Sequence, residues 1–382
     1  MSGTKRRLRV LLWHWGRRGG GPRYTLELAR VLAARDDLEV FLSLSRQAEI
    51  YTDFEGIPVS GRFDVDTYAS LPEFTLRTLG APLLRRRFGA FLRSAGIDVV
   101  FCTMDHLWNP LIAGTIRRSG ALYFLTVHDA TRHPGEDQRL RRWLLERDVS
   151  VSDGVLVLAE SVRESLIAHH GYPRERTFLS KHGIFDYGRR ETPRELPSDR
   201  PVRLLFFGRI LPYKGLDLLL SALPLLRNEF PEVELEIWGE GDLSPYRALL
   251  AGVRGVRVEN RWIGEGEIEG VFRRTDLAVL PYREASQSGV VPTAFAVGMP
   301  CVVTPIPGLR EQVASDRTGF IAEDLRPAAL ARAIAAVICD GELYRRLSAG
   351  CLHEANGSLN WGGIGATVAD TLWRLVELGA RK

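Results

Sequence analysis

Cysteine is scarce in this sequence of 382 residues, and its few positions show no pattern. The four cysteines lie far apart, without the paired spacing that zinc and redox sites use. We therefore expect no metal site, and we predict buried positions in which each thiol behaves as a small apolar group. These residues are Cys102, Cys301, Cys339 and Cys351.

Long apolar runs are also absent. No run approaches the roughly 20 residues that span a bilayer, and Met1 to Val10 is basic without a following secretory core. We therefore expect a cytoplasmic protein. A hydrophobic share of 45% and a charged share of 26% are typical of globular chains, which excludes long disorder and fibrous structure.

Charge is distributed unevenly, although the net charge is only +4. Residues 1–190 contain 29 Lys/Arg and 22 Asp/Glu, a balance of +7, whereas residues 191–382 contain 22 and 25, a balance of −3. A basic amino-terminal half suits an anionic partner such as a phosphate-bearing acceptor or an acidic lipid surface, and a solvated arginine-rich face explains it equally well. We expect no nucleic-acid partner.

The chain is longer than one hydrophobic core usually serves, so we predict two domains. Short β-rich apolar runs alternate with stretches of helical period in both halves, which predicts an α/β fold with two doubly wound parallel sheets. The predicted strands are Leu8–Trp13, Glu39–Leu44, Val99–Cys102, Leu122–Val127 and Gly154–Leu158, then Arg203–Phe207, Glu234–Trp238, Val256–Glu259, Leu277–Leu280 and Pro300–Val303.

A polar segment rich in Pro and Arg divides the two alternations. We predict an amino-terminal domain over 1–186, a linker over 187–200 and a carboxyl-terminal domain over 201–361. The last helical stretch, about 362–382, is long enough to leave the second domain and join the first. Ligands of such sheets bind outside the carboxyl ends of the strands, so the motifs in those loops carry the most weight.

The first such loop is rich in glycine. Gly19, Gly20 and Gly21 separate the first strand from a helix predicted over Thr25–Ala34, and they allow backbone to approach an anionic ligand closely. The spacing matches neither a dinucleotide fingerprint nor a Walker loop, and a flexible surface turn is the alternative.

The second loop is basic. The strand that ends at Gly208 is followed by Arg209 and Lys214, and a helix begins at Leu216. Two fixed cations at a strand end can neutralise a diphosphate and the charge that grows on it as a glycosidic bond breaks. An ordinary solvated turn is the alternative interpretation.

The whole segment resembles the retaining glycosyltransferases of family four, a GT-B group. Further similar pieces follow in the family's order: the glycine-rich turn, Thr126–Asp129, His133–Glu136, His182–Gly183, Trp238–Asp242, Asp276–Tyr282 and Gly298–Val303. The resemblance implies two Rossmann-like domains that face each other across a cleft. It also implies sugar transfer from a nucleotide diphosphate donor, without a metal cofactor, in bacterial polysaccharide or glycoconjugate synthesis.

The resemblance assigns roles to individual residues. Arg209 and Lys214 are expected to bind the donor diphosphate beside Gly208, and His128 is expected to contact the transferred sugar. For His128 the alternative is a histidine that caps the next turn. Gly239 belongs to a turn that in the family lies beside the nucleotide base.

The sequence departs from the family between Glu284 and Gly298. Family members usually carry two glutamates eight positions apart, and here Thr293 stands at the second while Glu284 lies one position from the first. Shorter polar contacts could replace the ribose contact of the second glutamate, and backbone N–H groups at a helix start could bind phosphate. The candidates are Gln287, Ser288 and Thr293 for the polar contacts, and Gly289, Val290 and Val291 for the backbone.

Two alternatives to a transferase stay open at this point. The missing glutamate suits a catalytically inactive relative that binds a nucleotide sugar. A nucleotide-sugar epimerase shares the architecture and needs acidic groups near the sugar, for which Asp129, Glu136 and Glu284 are the candidates. A nicotinamide dehydrogenase ranks below both, because the first strand lacks the fingerprint and the ribose acid.

One further segment, residues 76–93, has a composition that suits contact with a membrane surface. Residues 76–93 mix Leu and Phe with five arginines, which predicts an amphipathic helix that contacts the inner face of the membrane or simply packs on its own domain.

Overall fold

The computed structural model of the protein describes residues 6–129 and 138–379. These residues form two compact units. The first contains the described parts of Met1–Thr131, Arg139–Lys181 and Trp361–Lys382, and the second contains His182–Asn360.

The first unit is built on a parallel sheet with the strand order β3-β2-β1-β4-β5-β6-β7. Its central strands are apolar and buried, as expected for a sheet covered on both faces. The strands are β1 Leu8–His14, β2 Leu38–Leu44, β3 Gly61–Arg62, β4 Val99–Cys102, β5 Leu122–Val127, β6 Gly154–Val157 and β7 Thr177–Leu179. The helices are α1 Gly20–Ala33, α2 Leu71–Leu79, α3 Ala81–Ser94, α4 Asn109–Ser119, α5 Gln138–Val151, α6 Glu160–His170 and, from the end of the chain, α14 Trp361–Gly379.

The second unit repeats this plan with the strand order β10-β9-β8-β11-β12-β13. The strands are β8 Arg203–Phe207, β9 Glu234–Trp238, β10 Val256–Glu259, β11 Leu277–Leu280, β12 Cys301–Val303 and β13 Gly319–Ile321. The helices are α7 Leu216–Arg227, α8 Arg247–Ala251, α9 Glu265–Arg274, α10 Val290–Ala296, α11 Pro307–Gln312, α12 Pro327–Ile338 and α13 Gly341–Asn356. The prediction of an α/β fold with two doubly wound sheets is confirmed.

Helix α14 packs closely against α1 within the first unit. A side chain at Gly365 would place its Cβ 2.7 Å from a methyl carbon of Val31, so the two helices approach each other at a glycine. The indole of Trp361 packs 5.5 Å from the ring of Tyr24, edge to face. No helix within the described ranges is both long and apolar enough to cross a membrane.

Several local predictions were wrong. Helix α1 begins at Gly20, five residues before the predicted Thr25, so two of the glycines belong to its first turn. Residues 76–93 form parts of two helices, because α2 ends at Leu79 and the Pro near the start of α3 cannot continue a helix. Cys339 is exposed, just beyond the end of α12, whereas the other three cysteines are buried.

The segment predicted as a linker, 187–200, lies within the second unit and is anchored there by Arg194. The Arg194 side chain is buried, and its guanidinium donates hydrogen bonds to the carbonyls of Phe272, Arg273 and Thr275 at the end of α9. Its backbone N–H donates to the Ser348 hydroxyl over 2.7 Å. The guanidinium therefore caps carbonyls that a helix end leaves without partners.

We predict that Arg194→Met lowers the free energy of unfolding by about 2–4 kcal/mol, because buried carbonyls lose a charged donor while the aliphatic stem is kept. Urea denaturation followed by circular dichroism measures the change. Arg189→Met is the control, because Arg189 is exposed and close in sequence, and it should change stability by less than about 0.5 kcal/mol. Equal effects of the two substitutions would contradict the capping role.

Candidate functional site

The first unit offers a site at the carboxyl ends of β1 and β4. Strand order reverses between these neighbours, since β2 and β3 lie on one side of β1 while β4 to β7 lie on the other. Such a reversal opens a crevice in which α/β sheets bind ligands. His14 ends β1, and the N–H of Thr103, just after β4, donates to the carbonyl of Trp13.

The glycine-rich turn covers this crevice. Gly19 has a φ of 83°, which favours glycine, and it precedes the first turn of α1. Gly20 is exposed, whereas Gly21 is buried so closely over the His14 ring that a Cβ there would lie 2.7 Å from its Cε1 atom. The Thr25 hydroxyl donates to the carbonyl of Gly21 over 2.8 Å and so fixes the turn.

His128 follows β5 at the same edge of the sheet. Its Nε2 lies 3.1 Å from the carbonyl of Thr103, so this nitrogen carries the proton that it donates. Burial lowers the pKa of His128, which keeps the ring neutral near pH 7. The ring of Tyr24 packs edge to face against it at 5.5 Å. Tyr24 was not among the predicted site residues, although it lies only three residues after Gly21, near the start of α1.

The second unit reverses its strand order between β8 and β11. Gly208 directly follows β8 and has a φ of 108°. Gly239 directly follows β9, and a Cβ there would lie 2.0 Å from the carbonyl oxygen of Gly208. The two glycines therefore allow the ends of neighbouring strands to approach each other.

The two predicted cations lie in the loop that follows Gly208. Arg209 is exposed to solvent. Lys214 is half-buried, and its ammonium lies 3.8 Å from the centre of the Tyr282 ring and 5.5 Å from that of Tyr213. An ammonium over a ring face is held by the ring quadrupole, so Tyr282 restrains Lys214. Since Tyr282 follows β11, this contact crosses the reversal point of the sheet.

Backbone contacts also hold the loop after β8, which contains Lys214, in place. The N–H of Arg283 donates to the carbonyl of Tyr213 over 2.7 Å. Gly215 has a φ of 66°, and a Cβ there would lie 2.0 Å from the carbonyl oxygen of Pro281. The loop after β8 is thus tied to the loop after β11 on both sides of Lys214.

The segment that departs from the family uses most of its polar groups internally. Glu284 is exposed, and Gln287 and Gly289 are half-buried. The N–H groups of Val290 and Val291 donate to the hydroxyl and the carbonyl of Ser288 over 3.3 Å, so a phosphate would have to displace these weak bonds.

Thr293 is buried, and its hydroxyl donates to the carbonyl of Gly289 over 2.8 Å. Ser288 is clamped by Gln312, whose amide accepts from the Ser288 N–H over 2.7 Å and donates to the Ser288 carbonyl over 3.1 Å. His182 packs beside this turn, since a Cβ at Gly289 would lie 3.9 Å from its Nε2.

One of the predicted pieces falls outside the described residues. The piece concerned is His133–Glu136, which includes the candidate acid Glu136. Within residues 6–129 and 138–379, no group of three or more His, Cys, Asp or Glu is arranged to hold a metal ion.

Comparison with known proteins gives a family match on each half of the chain. Residues 18–184 match Glycosyltransferase Family 4, and residues 201–340 match Glycosyl transferases group 1. The glycogen synthase of Mycobacterium tuberculosis is 26% identical over 67% of this chain and 64% of its own length. The chain therefore spans less than two thirds of that relative.

Two further matches, a sequence relative and a solved structure, extend over almost their whole length. A D-inositol 3-phosphate glycosyltransferase of Xylanimonas cellulosilytica is 27% identical over 93% of this chain and 91% of its own. The crystal structure of Anabaena HepE in complex with UDP-glucose superposes with a TM-score of 0.73 at 16% identity, over 96% of this chain and 100% of HepE. Because both halves match the same group of enzymes and the sheets share this fold, the chain belongs to glycosyltransferase family four and has the GT-B fold.

Proposed function

We propose that the protein transfers a sugar from a nucleotide diphosphate sugar to an acceptor, with retention of the anomeric configuration. The observation that carries the proposal is Lys214, held over Tyr282 at the reversal point of the second sheet, in a loop that also bears Arg209. The names of the relatives, a glycogen synthase and an inositol phosphate glycosyltransferase, support this reaction class.

The two cations suit the departing group. As the bond between the anomeric carbon and the diphosphate oxygen breaks, negative charge grows on the diphosphate, and Arg209 and Lys214 stabilise it. The acceptor oxygen forms the new bond to the anomeric carbon, and its proton passes to the departing phosphate oxygen. In this proposal the fixed cations take the part that a divalent ion plays in other transferases, so no metal is needed.

Thermal unfolding with UDP, GDP, dTDP, ADP and NAD, all in EDTA, tests the donor site. A ligand at 100 times its dissociation constant adds about 2.7 kcal/mol of stability. We expect one nucleoside diphosphate to stabilise the wild type but not Arg209→Ala/Lys214→Ala. Stabilisation in EDTA also shows that binding needs no Mg²⁺.

Other outcomes separate the alternatives. Stabilisation of both proteins by NAD, or of neither by any ligand, contradicts the proposal. Tight binding of a nucleotide sugar that stays intact during long incubation identifies an inactive relative, for which the position of Thr293 gives a reason, because a short hydroxyl stands where the family has a carboxylate. Interconversion of two nucleotide sugars without release of diphosphate identifies an epimerase.

We also propose that the first unit contacts an anionic membrane surface through α2 and α3. Leu76, Leu79 and Leu83 are 70%, 75% and 61% exposed, whereas Phe88 and Leu92 on the same segment are buried in the core of the unit. Five arginines accompany these leucines between residues 76 and 93. Exposed leucines beside arginines suit acyl chains and acidic headgroups, which would bring a lipid-linked acceptor to the enzyme.

Sedimentation with vesicles of phosphatidylglycerol and phosphatidylcholine at low salt tests the membrane contact. We predict that Leu76→Gln/Leu79→Gln/Leu83→Gln lowers the partition coefficient by at least about tenfold, since burial of even one of the three leucines contributes roughly 1.5–3 kcal/mol. Leu225→Gln in the second unit, where Leu225 is 44% exposed, is the control. A wild type that stays in the supernatant at low salt contradicts the proposal.

A further inference from the structure

His14 is a buried histidine at the centre of the first sheet. It ends β1 and pairs with Leu44 of β2 on one side, while its neighbour Trp13 pairs with Cys102 of β4 on the other. The side chain therefore lies at the reversal point of the sheet, where α/β folds bind ligands.

Its ring is buried without a hydrogen-bond partner. His14 is 3% exposed, and neither Nδ1 nor Nε2 bonds to any residue that the structure describes. The neighbouring His128, by contrast, donates to the carbonyl of Thr103. Buried polar atoms are nearly always paired, so a ring with two nitrogens unpaired among the described residues calls for a partner that those residues do not supply.

The backbone of residues 16–21, which leads into and includes the glycine-rich turn, packs closely on this ring. A Cβ at Gly16 would lie 2.6 Å from Nε2, and a Cβ at Gly21 would lie 2.7 Å from Cε1. Larger residues at either position would displace the imidazole. The two glycines thus let the backbone turn pack directly over the ring.

The protonation state limits the chemistry of the partner. Burial, followed by the neighbouring His106 and His128, lowers the pKa of His14 to about 3, so the ring is neutral near pH 7. A neutral imidazole has one N–H donor and one acceptor nitrogen. A hydroxyl group can complement either nitrogen, because it accepts from the N–H and donates to the bare nitrogen, whereas an ionised phosphate only accepts and leaves the bare nitrogen unpaired.

We propose that His14 binds a hydroxyl group of a sugar at the amino-terminal reversal point and thereby orients it for transfer. This inference rests on the proposed function, because the sugar comes from either the donor or a carbohydrate acceptor. His14 is a binding and positioning residue that supplies no charge to the reaction.

The test compares His14→Leu with the more conservative His14→Asn, whose amide group keeps both a hydrogen-bond donor and an acceptor. In the donor arm, calorimetry measures the affinity for the stabilising nucleoside diphosphate and for its nucleotide sugars. In the acceptor arm, steady-state kinetics measure transfer to p-nitrophenyl glycosides. We expect His14→Leu to weaken either nucleotide-sugar affinity or the KM for the glycoside about tenfold, and His14→Asn to lose less. The unfolding midpoint of His14→Leu should equal or exceed that of the wild type.

The pattern of loss identifies the source. A tenfold loss for the nucleotide sugar but not for the nucleoside diphosphate assigns the hydroxyl to the donor sugar. A raised KM for the glycoside with unchanged donor affinity assigns it to the acceptor. Gly21→Ala, which displaces the ring, should cause the same loss as His14→Leu. His353→Leu, on the exposed surface of α13, should change neither donor affinity nor the KM for the glycoside.

Two results overturn the inference. One is His14→Leu with wild-type behaviour in both arms. The other is a parallel loss of stability and of both arms, which would mark His14 as a purely structural residue. If the wild type itself binds no nucleotide, the proposed function fails instead, and the two failures are distinguishable.

Discussion

Replacing Lys214 or Arg209 by alanine is expected to lower kcat about 10²–10³-fold for each charge, by analogy with the loss of a single oxyanion donor. The ammonium of Lys214 is fixed 3.8 Å from the centre of the Tyr282 ring, so it needs little rearrangement when charge develops on the diphosphate. Arg209 is exposed, so its stem has more freedom to lose on binding, and we expect the smaller effect there. Steady-state rates of nucleoside diphosphate release measure both effects.

The double variant should lose less than the product of the two single effects, because both cations act on the same leaving group. Arg346→Ala on α13 is the matched control, since Arg346 is exposed and carries the same charge in the same unit. If Lys214→Ala raised KM for the donor while kcat stayed unchanged, Lys214 would bind the ground state only, and the proposed stabilisation of the departing group would be wrong.

The sequence predicts the central strands of both sheets well, because each is a continuous apolar run that can be recognised from its own residues. Strands β3, β7 and β13 were missed for the same reason, since segments of two or three residues at or near the sheet edges show no period. The break between α2 and α3 was predictable from Pro82, which cannot donate a helical hydrogen bond.

The candidate site was only partly accessible to sequence reasoning. Arg209 and Lys214 were identified from their place after a strand, but the partner of Lys214 was not. Tyr282 lies far along the chain and reaches Lys214 only because β8 and β11 are neighbours in the sheet. The same applies to His14, whose importance appears only when burial and the absence of a described partner are known.

Gly215 gives the largest expected effect on stability. We predict that Gly215→Ala lowers the free energy of unfolding by about 3 kcal/mol or more. The left-handed backbone conformation costs alanine roughly 1–2 kcal/mol, and a steric clash adds the rest. The clash is severe, because the new Cβ would lie 2.0 Å from the carbonyl oxygen of Pro281. Urea denaturation measures the loss.

The control is a glycine of the same unit with free space around it. A Cβ at Gly266, on α9, meets no atom within 4 Å, so Gly266→Ala should be neutral or stabilise by about 0.4–1 kcal/mol. Because Gly215 directly follows Lys214, any Gly215→Ala protein that still folds must shift the loop and should also lose activity. A stable Gly215→Ala variant with a wild-type rate would show that the contact between the loops after β8 and β11 does not position Lys214.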